Sequence, residues 1–163
     1  MFSEKLIAKI NHQIKEELQS SYLYYNMAIK AEAKNFKGTA IWLFQQAKEE
    51  KGHAEKFIKY LLERGVEPKL ETFEMLNKEW NNHVELFDAV LNHEKHITAL
   101  ITALMDLAIE EKDYPTQNLL RWFIDEQVEE EANVSFILER AKMIGDSLSG
   151  ILYLDKELGK RAE

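Results

Sequence analysis

Apolar residues recur along this chain at alternating spacings of three and four, and they do so in four separate stretches. Ile7, Ile10, Ile14, Tyr24, Ala28 and Ala31 form the first stripe; Ala40, Leu43, Ala47, Ala54, Phe57 and Leu61 form the second. Phe87, Val90, Ile97, Ile101, Leu104 and Ala108 make the third, and Leu120, Phe123, Val134, Ile137 and Ala141 the fourth. That period belongs to an α-helix with one buried face. Local punctuation sets the bounds. The first helix runs from about Ser3, an N-cap residue, to Asn35, where "NFKG" breaks it. The second covers about Thr39 to Arg64 and stops at Gly65, with Pro68 beyond. The third covers roughly Asn82 to Lys112 and ends at "KDYP"; the fourth runs from about Pro115, a favourable first-turn residue, to Ile144 before Gly145. A short segment, Ser149 to Leu158, follows with its own apolar face. With no strand-like alternation, linker or low-complexity stretch, the pattern predicts an all-α fold in one domain over residues 1–163. It comprises a four-helix bundle over about 3–144 and a short C-terminal helix over about 149–158.

The connections constrain how the helices meet. The breaks near Asn35–Gly38 and Asp113–Pro115 are short, so the first and second helices are antiparallel neighbours, and so are the third and fourth. Between the second and third lies a longer connection, about Val66 to Asn81. A helix of about 26 residues spans roughly 40 Å. Sixteen extended residues reach about 50 Å, enough to cross the whole bundle.

Each stripe is interrupted near its middle by a side chain that can ligate a metal. The interruptions are Glu17 in the first, Glu50 with His53 one turn on in the second, Glu94 in the third, and Gln127 with Glu130 in the fourth. A buried carboxylate is costly unless something compensates it. Glu17 to Glu50 is 33 residues and so is Glu94 to Gln127; a shift of 77 maps Glu17 onto Glu94, Glu49 onto Glu126, Glu50 onto Gln127 and His53 onto Glu130. The two halves read as related hairpins, each presenting one ligand opposite an i, i+3 pair that shares a helix face. Inward glutamates with Glu-x-x-His pairs are how helical bundles hold di-iron or di-manganese centres. A divalent metal is then the counter-charge that lets Glu50 and His53 be buried.

Composition narrows the field. The chain has 45% hydrophobic residues and no cysteine, which excludes a disulfide framework and thiolate metal sites and suits a reducing, cytoplasmic setting. The opening "MFSEKLIAKINHQIKEEL" is charged every few residues and does not read as a signal peptide. No run approaches the roughly 20 apolar residues of a membrane span. A net charge of −8 speaks against nucleic-acid binding and is compatible with attracting cations.

Taken together, these residues resemble those of the bacterial non-haem ferritins along essentially the whole chain. The resemblance implies a ferritin-like four-helix bundle with a long crossover between helices 2 and 3. It implies a ferroxidase centre whose first iron position is held by Glu17, Glu50 and His53 and whose second is held by Glu50, Glu94 and Glu130, with Gln127 as a hydrogen-bonding neighbour. A third iron position would use Glu49, Glu126, Glu129 and Glu130; Tyr24 and Trp122 match the family's tyrosine and tryptophan beside the first position. The implied activity is oxidation of Fe(II) by O₂ or peroxide and storage of Fe(III) as mineral, with Glu50, Tyr24 and Gln127 closest to the chemistry. The implied partner is a second copy of the chain, assembled into a hollow homo-oligomer of 24 subunits, with "LSGILYLDKEL" at its four-fold axes. Bacterioferritins carry a haem-ligating methionine where this chain has Gly52, and a fourth-helix Glu-x-x-His where it has Gln127 and Glu130, so haem is not expected. Rubrerythrins need a cysteine-ligated iron, which this chain cannot build.

Blander readings stand beside these. Glu50 and His53 alone would serve as a hydrogen-bonded core pair, Tyr24 as a packing residue, and Glu49, Glu126 and Glu129 as a solvated acidic face. His12, His83, His93 and His96 read as surface residues, and Trp42, Trp80 and Tyr22–Tyr25 as packing or subunit contacts. A di-iron oxidase or peroxidase without storage, and a purely structural bundle, are the rival functions.

Overall fold

In the computed structural model, which describes residues 1–161, five helices follow one another: α1 (Glu4–Ala33), α2 (Lys37–Glu63), α3 (His83–Glu110), α4 (Tyr114–Ile144) and α5 (Leu148–Leu158). The expected boundaries hold to within a few residues. Ser3 accepts a hydrogen bond from the Leu6 amide as the α1 cap, and Asn82 accepts one from the Glu85 amide as the α3 cap. Before α4, Asp113 caps the Thr116 amide, and Pro115 sits in the first turn, where its missing N–H costs nothing. Asn35 (φ 66) takes the chain out of α1, and Gly65 (φ 75) takes it out of α2, both left-handed as helix exits commonly are.

α1 packs chiefly on α2, and α3 on α4. The crossover between the two pairs is irregular and lies along α1. Its Lys69 amide donates to Asn11 Oδ1, Gln19 donates to the Glu74 carbonyl, and Lys34 Nζ donates to the Trp80 carbonyl. Successive crossover residues therefore meet successive turns of α1, and the segment travels the length of the bundle. α3 accordingly starts at the end where α2 starts, giving an up-down-down-up order.

α5 docks at that same end. The carboxylate of Asp155 accepts from the Thr39 amide at 2.7 Å, the Gly38 amide at 3.3 Å and the Thr39 hydroxyl at 2.7 Å. α2 has no side-chain cap of its own, so α5 caps it in trans. Gly38 is required for this approach: a Cβ there would lie 1.8 Å from the Asp155 carbonyl oxygen.

Apolar side chains gather in two clusters rather than one. Tyr24, Leu43, Phe87, Val134 and Leu154 belong to the cluster at the α5 end. Ile10, Phe57, Ile101 and Phe123 belong to the other. Between them lies the polar layer formed by the stripe interruptions. At the stripe edges the structure shifts the reading by one position: Leu6, Ser20 and Leu138 are buried, while Ile7, Ser21 and Ile137 are half-buried. Among the described residues, no helix is long and apolar enough to cross a membrane.

Candidate metal centre

All four long helices contribute to the polar layer, and each does so from the middle of its buried face. α1 brings Glu17 and Tyr24, α2 brings Glu50 and His53, α3 brings Glu94, and α4 brings Gln127 and Glu130; every one is buried. Among the described residues, two sets of ligand atoms converge: Glu17, Glu50 and His53 form one, and Glu50, Glu94 and Glu130 form the other, each within 4.8 Å. Glu50 belongs to both. The i, i+3 spacing on α2 makes this possible, because it puts the His53 Nδ1 atom 3.1 Å from Glu50 Oε2. The same nitrogen is 3.8 Å from Glu17 Oε2, a distance for charge attraction rather than a hydrogen bond.

A ring of donors orients the carboxylates. The Tyr24 hydroxyl donates to Glu94 Oε1 at 2.6 Å, and Gln127 Nε2 lies 3.2 Å from Glu94 Oε2 and from the Glu94 carbonyl oxygen. Gln13 Nε2 donates to Glu17 Oε1 at 3.0 Å. The imidazole of His53 is fixed edge-on to Trp122 and Phe123, with ring centroids 5.5 Å and 5.8 Å away. Its Nε2 faces Glu126 Oε2 at 3.8 Å. An imidazole with one nitrogen toward a metal position and the other toward a carboxylate is a common arrangement for a ligating histidine.

Electrostatically the layer is short of positive charge. Burial, and then the charge of Glu94, holds Glu50 well above the ordinary carboxylate range. Glu94 is raised by burial. Glu130 is pushed up to about 7 by burial and by Glu94. Burial opposes the charge of Glu17 too, but the neighbouring His53 and Glu50 outweigh it and hold Glu17 low. His53 is raised because the pull of Glu17 exceeds the effect of burial. The Tyr24 hydroxyl is raised far above its usual value by burial and by Glu94. Glu17 Oε2 is buried with no hydrogen-bond partner. Raised carboxyls and an orphaned carboxylate oxygen, set among hard oxygen and imidazole donors, fit two divalent cations sharing Glu50.

Glu49, Glu126 and Glu129 lie apart from this core. With His53, Trp122 and Glu130 they line an open basin of about 650 Å³. They do not enter a ligand set as tight as the two above among the described residues. Glu49 instead meets a cation: Arg161 Nη2 donates to Glu49 Oε2 at 2.9 Å, and the guanidinium stacks 4.5 Å from the Trp42 ring centroid.

Two histidines correct the sequence reading. His83 is buried rather than exposed, donating from Nε2 to the Thr39 hydroxyl at 2.9 Å, which passes its own proton on to Asp155. His93 is half-buried. Its Nε2 lies 2.7 Å from Ser20 Oγ, its ring meets Tyr24 edge-on, and burial, helped by His96, lowers its pKa to about 4. His12 and His96 lie toward the surface as expected, both paired with Glu16. Sequence reading missed Gln13, Gln46 and Arg161 at the site. Gln13 and Gln46 each precede a ligand by four residues, which is a signal only once the ligands are known.

A family model described as a ferritin-like domain matches residues 7–144. A bacterial non-heme ferritin of Bacteroides fragilis is 41% identical over 161 residues, covering 99% of this chain and 100% of the relative. One from Escherichia coli is 36% identical over 158 residues, covering 97% and 96%. Among solved structures, an open pore ferritin from the archaeon Archaeoglobus fulgidus superposes with a TM-score of 0.97 at 39% identity, over 99% of each chain.

Proposed function

The chain belongs to the bacterial non-haem ferritin family, and from that premise we propose that it stores iron by oxidising Fe(II) at its buried layer and holding the product as a ferric mineral. The observation that carries the reading is the pair of overlapping ligand sets joined at Glu50. Two Fe(II) ions, the substrate, bind across that carboxylate. Glu17 and His53 hold the first, and Glu94 and Glu130 hold the second. Each ion gives one electron to O₂ or hydrogen peroxide and leaves as Fe(III). Gln127 and Tyr24 orient Glu94 from two sides. Oxygen and imidazole donors with open positions suit Fe(II) and dioxygen chemistry.

The basin supports a third iron position at Glu49, Glu126, Glu129 and Glu130. It adjoins the dinuclear layer through Glu130 and His53, so it supplies a route between that layer and the outside of the subunit. Storage also requires a container, and a hollow homo-oligomer of 24 subunits is the assembly proposed here. Repeated closed contacts between identical chains generate such shells. The docked α5 presents Leu148, Leu152 and Tyr153 outward, apolar surface suited to such a contact.

Size-exclusion chromatography with iron analysis, followed by anaerobic Fe(II) titration, tests the proposal. A shell-sized species that binds at least two Fe(II) per subunit and mineralises iron on exposure to air is the expected result. Rapid oxidation without mineral would favour a di-iron oxidase, and no Fe(II) binding would reduce the layer to a structural feature.

A further inference from the structure

Gln46 lies on α2 one turn before Glu50, outside both ligand sets. Its side chain is fully buried, and its amide nitrogen is 2.6 Å from Glu130 Oε2, 3.3 Å from Glu94 Oε1 and 3.4 Å from Glu50 Oε1. Those three carboxylates are the complete second ligand set. A single NH₂ group, with two protons to give, therefore faces three acceptors. At the other end of the same amide, Oε1 is buried with no hydrogen-bond partner. Reversing the amide in this setting would point its oxygen at three carboxylates, so the nitrogen is the end that faces them.

The separations are informative. For oxygen ligands bonded at about 2.1 Å, adjacent corners of an octahedron are roughly 3 Å apart. The amide nitrogen thus stands where a fourth ligand of the second cation would stand, with the wrong end of the amide turned inward. Resting on the dinuclear reading above, we propose that Gln46 is a fourth oxygen donor to the second iron position, and that its amide turns end for end as a cation enters between Glu50, Glu94 and Glu130. The terminal torsion of a glutamine is broad and nearly two-fold, so the turn needs no backbone movement. Amide oxygen is a hard donor suited to Fe(II). The turn gives Oε1 its missing partner. It releases the NH₂ toward an opening of about 300 Å³ that Gln46 lines together with Glu130 and Asn133. Before the cation arrives, the same amide holds the three carboxylates together. Gln46 is then a donor to the carboxylates in one state and a donor to the cation in the other.

A purely structural Gln46 would behave in the opposite sense. If it served only to hold the carboxylates, it would compete with the cation, and its removal would tighten binding. The test is calorimetric titration of the assembled protein with Zn(II), which is redox-silent, for the wild type, Gln46→Leu, Gln46→Met and Gln46→Glu. At least two Zn(II) per subunit are expected in the wild type. Gln46→Leu and Gln46→Met should weaken the second ion about tenfold, while the first changes by less than about twofold. Gln46→Glu keeps an oxygen donor and should bind the second ion at least as tightly as the wild type. Should Gln46→Leu fail to assemble, Gln46→Met, of similar length and flexible, carries the same comparison. Unchanged or tighter binding of the second ion in the apolar variants would overturn the role of Gln46 alone. A wild type that binds fewer than two ions would overturn the dinuclear reading and this inference together.

Discussion

Metal binding at the polar layer should expel protons, and the structure sets a lower bound on how many. The perturbation is the titration of metal-free protein with Zn(II), which occupies the ligand sets without redox chemistry. Each ligating carboxylate must be ionised to bind. Burial and the charge of Glu94 hold Glu50 well above the ordinary carboxylate range, so it favours keeping its proton in the metal-free state. At pH 7 Glu130, raised to about 7 by burial and by Glu94, carries about half a proton. The raised Glu94 and His53 add to this total, while the lowered Glu17 does not. At least the half proton of Glu130 per subunit should therefore leave at pH 7 as both ligand sets fill, with the raised groups beside it adding to the release. The share from Glu130 falls from nearly one at pH 6 to about a tenth at pH 8. Calorimetry in buffers of different ionisation enthalpy, or a pH-stat at fixed ionic strength, reads the count directly. The same shift fixes a stability trend. A carboxyl whose folded-state pKa is raised favours the folded state fully below the unfolded value and ceases to do so as pH rises through the folded value. Moving Glu130 from 4.5 to about 7 corresponds to about 3 kcal/mol per subunit. Metal-free protein should lose that stability between about pH 4.5 and 7, and Zn(II) should restore it. Release of less than about half a proton at pH 7, with no pH trend, would refute the argument: the carboxylates would already be ionised and compensated by other means.

Three further outcomes follow from named contacts. His53→Ala and Glu17→Ala each remove a ligand from the first iron position inside a finished core, so stopped-flow oxidation of Fe(II) should slow at least about tenfold while chromatography shows normal assembly; a wild-type initial rate in either variant would disprove the assignment. Glu49→Ala and Glu126→Ala should lower the number of Fe(II) bound anaerobically per subunit without abolishing the fast phase, whereas Glu130→Ala should damage both, and unchanged stoichiometry would return the outer glutamates to a solvated acidic face. Asp155→Ala removes the trans cap of α2, a loss of about 1–2 kcal/mol, so amide exchange at Gly38 and Thr39 should quicken about five- to thirtyfold; Gly38→Ala should displace α5 outright, and unaltered exchange in both would show that α5 docking does not depend on this contact.

The helices and the dinuclear ligands were legible in the sequence for one physical reason. A helix converts spacing into direction, so a carboxylate in an apolar stripe at i, i+3 or i+4 is known to face the core before any partner is identified. The matched offset of 33 between Glu17 and Glu50 and between Glu94 and Gln127 then puts the interruptions at one level of two hairpins. Caps at Ser3, Asn82 and Asp113 were readable in the same local way. What lies at the margins of a stripe was not, because a small rotation of the helix decides whether Ile7 or Leu6, and Ile137 or Leu138, is covered. Contacts between residues far apart in sequence belong to the tertiary structure alone. His83 is buried because the crossover returns α3 to the end where Thr39 and Asp155 meet. Arg161 reaches Glu49 because α5, locked by Gly38, delivers it there. Gln46 reads as an ordinary polar helix residue until four helices bring three carboxylates around one amide, and only that convergence leaves its oxygen without a partner.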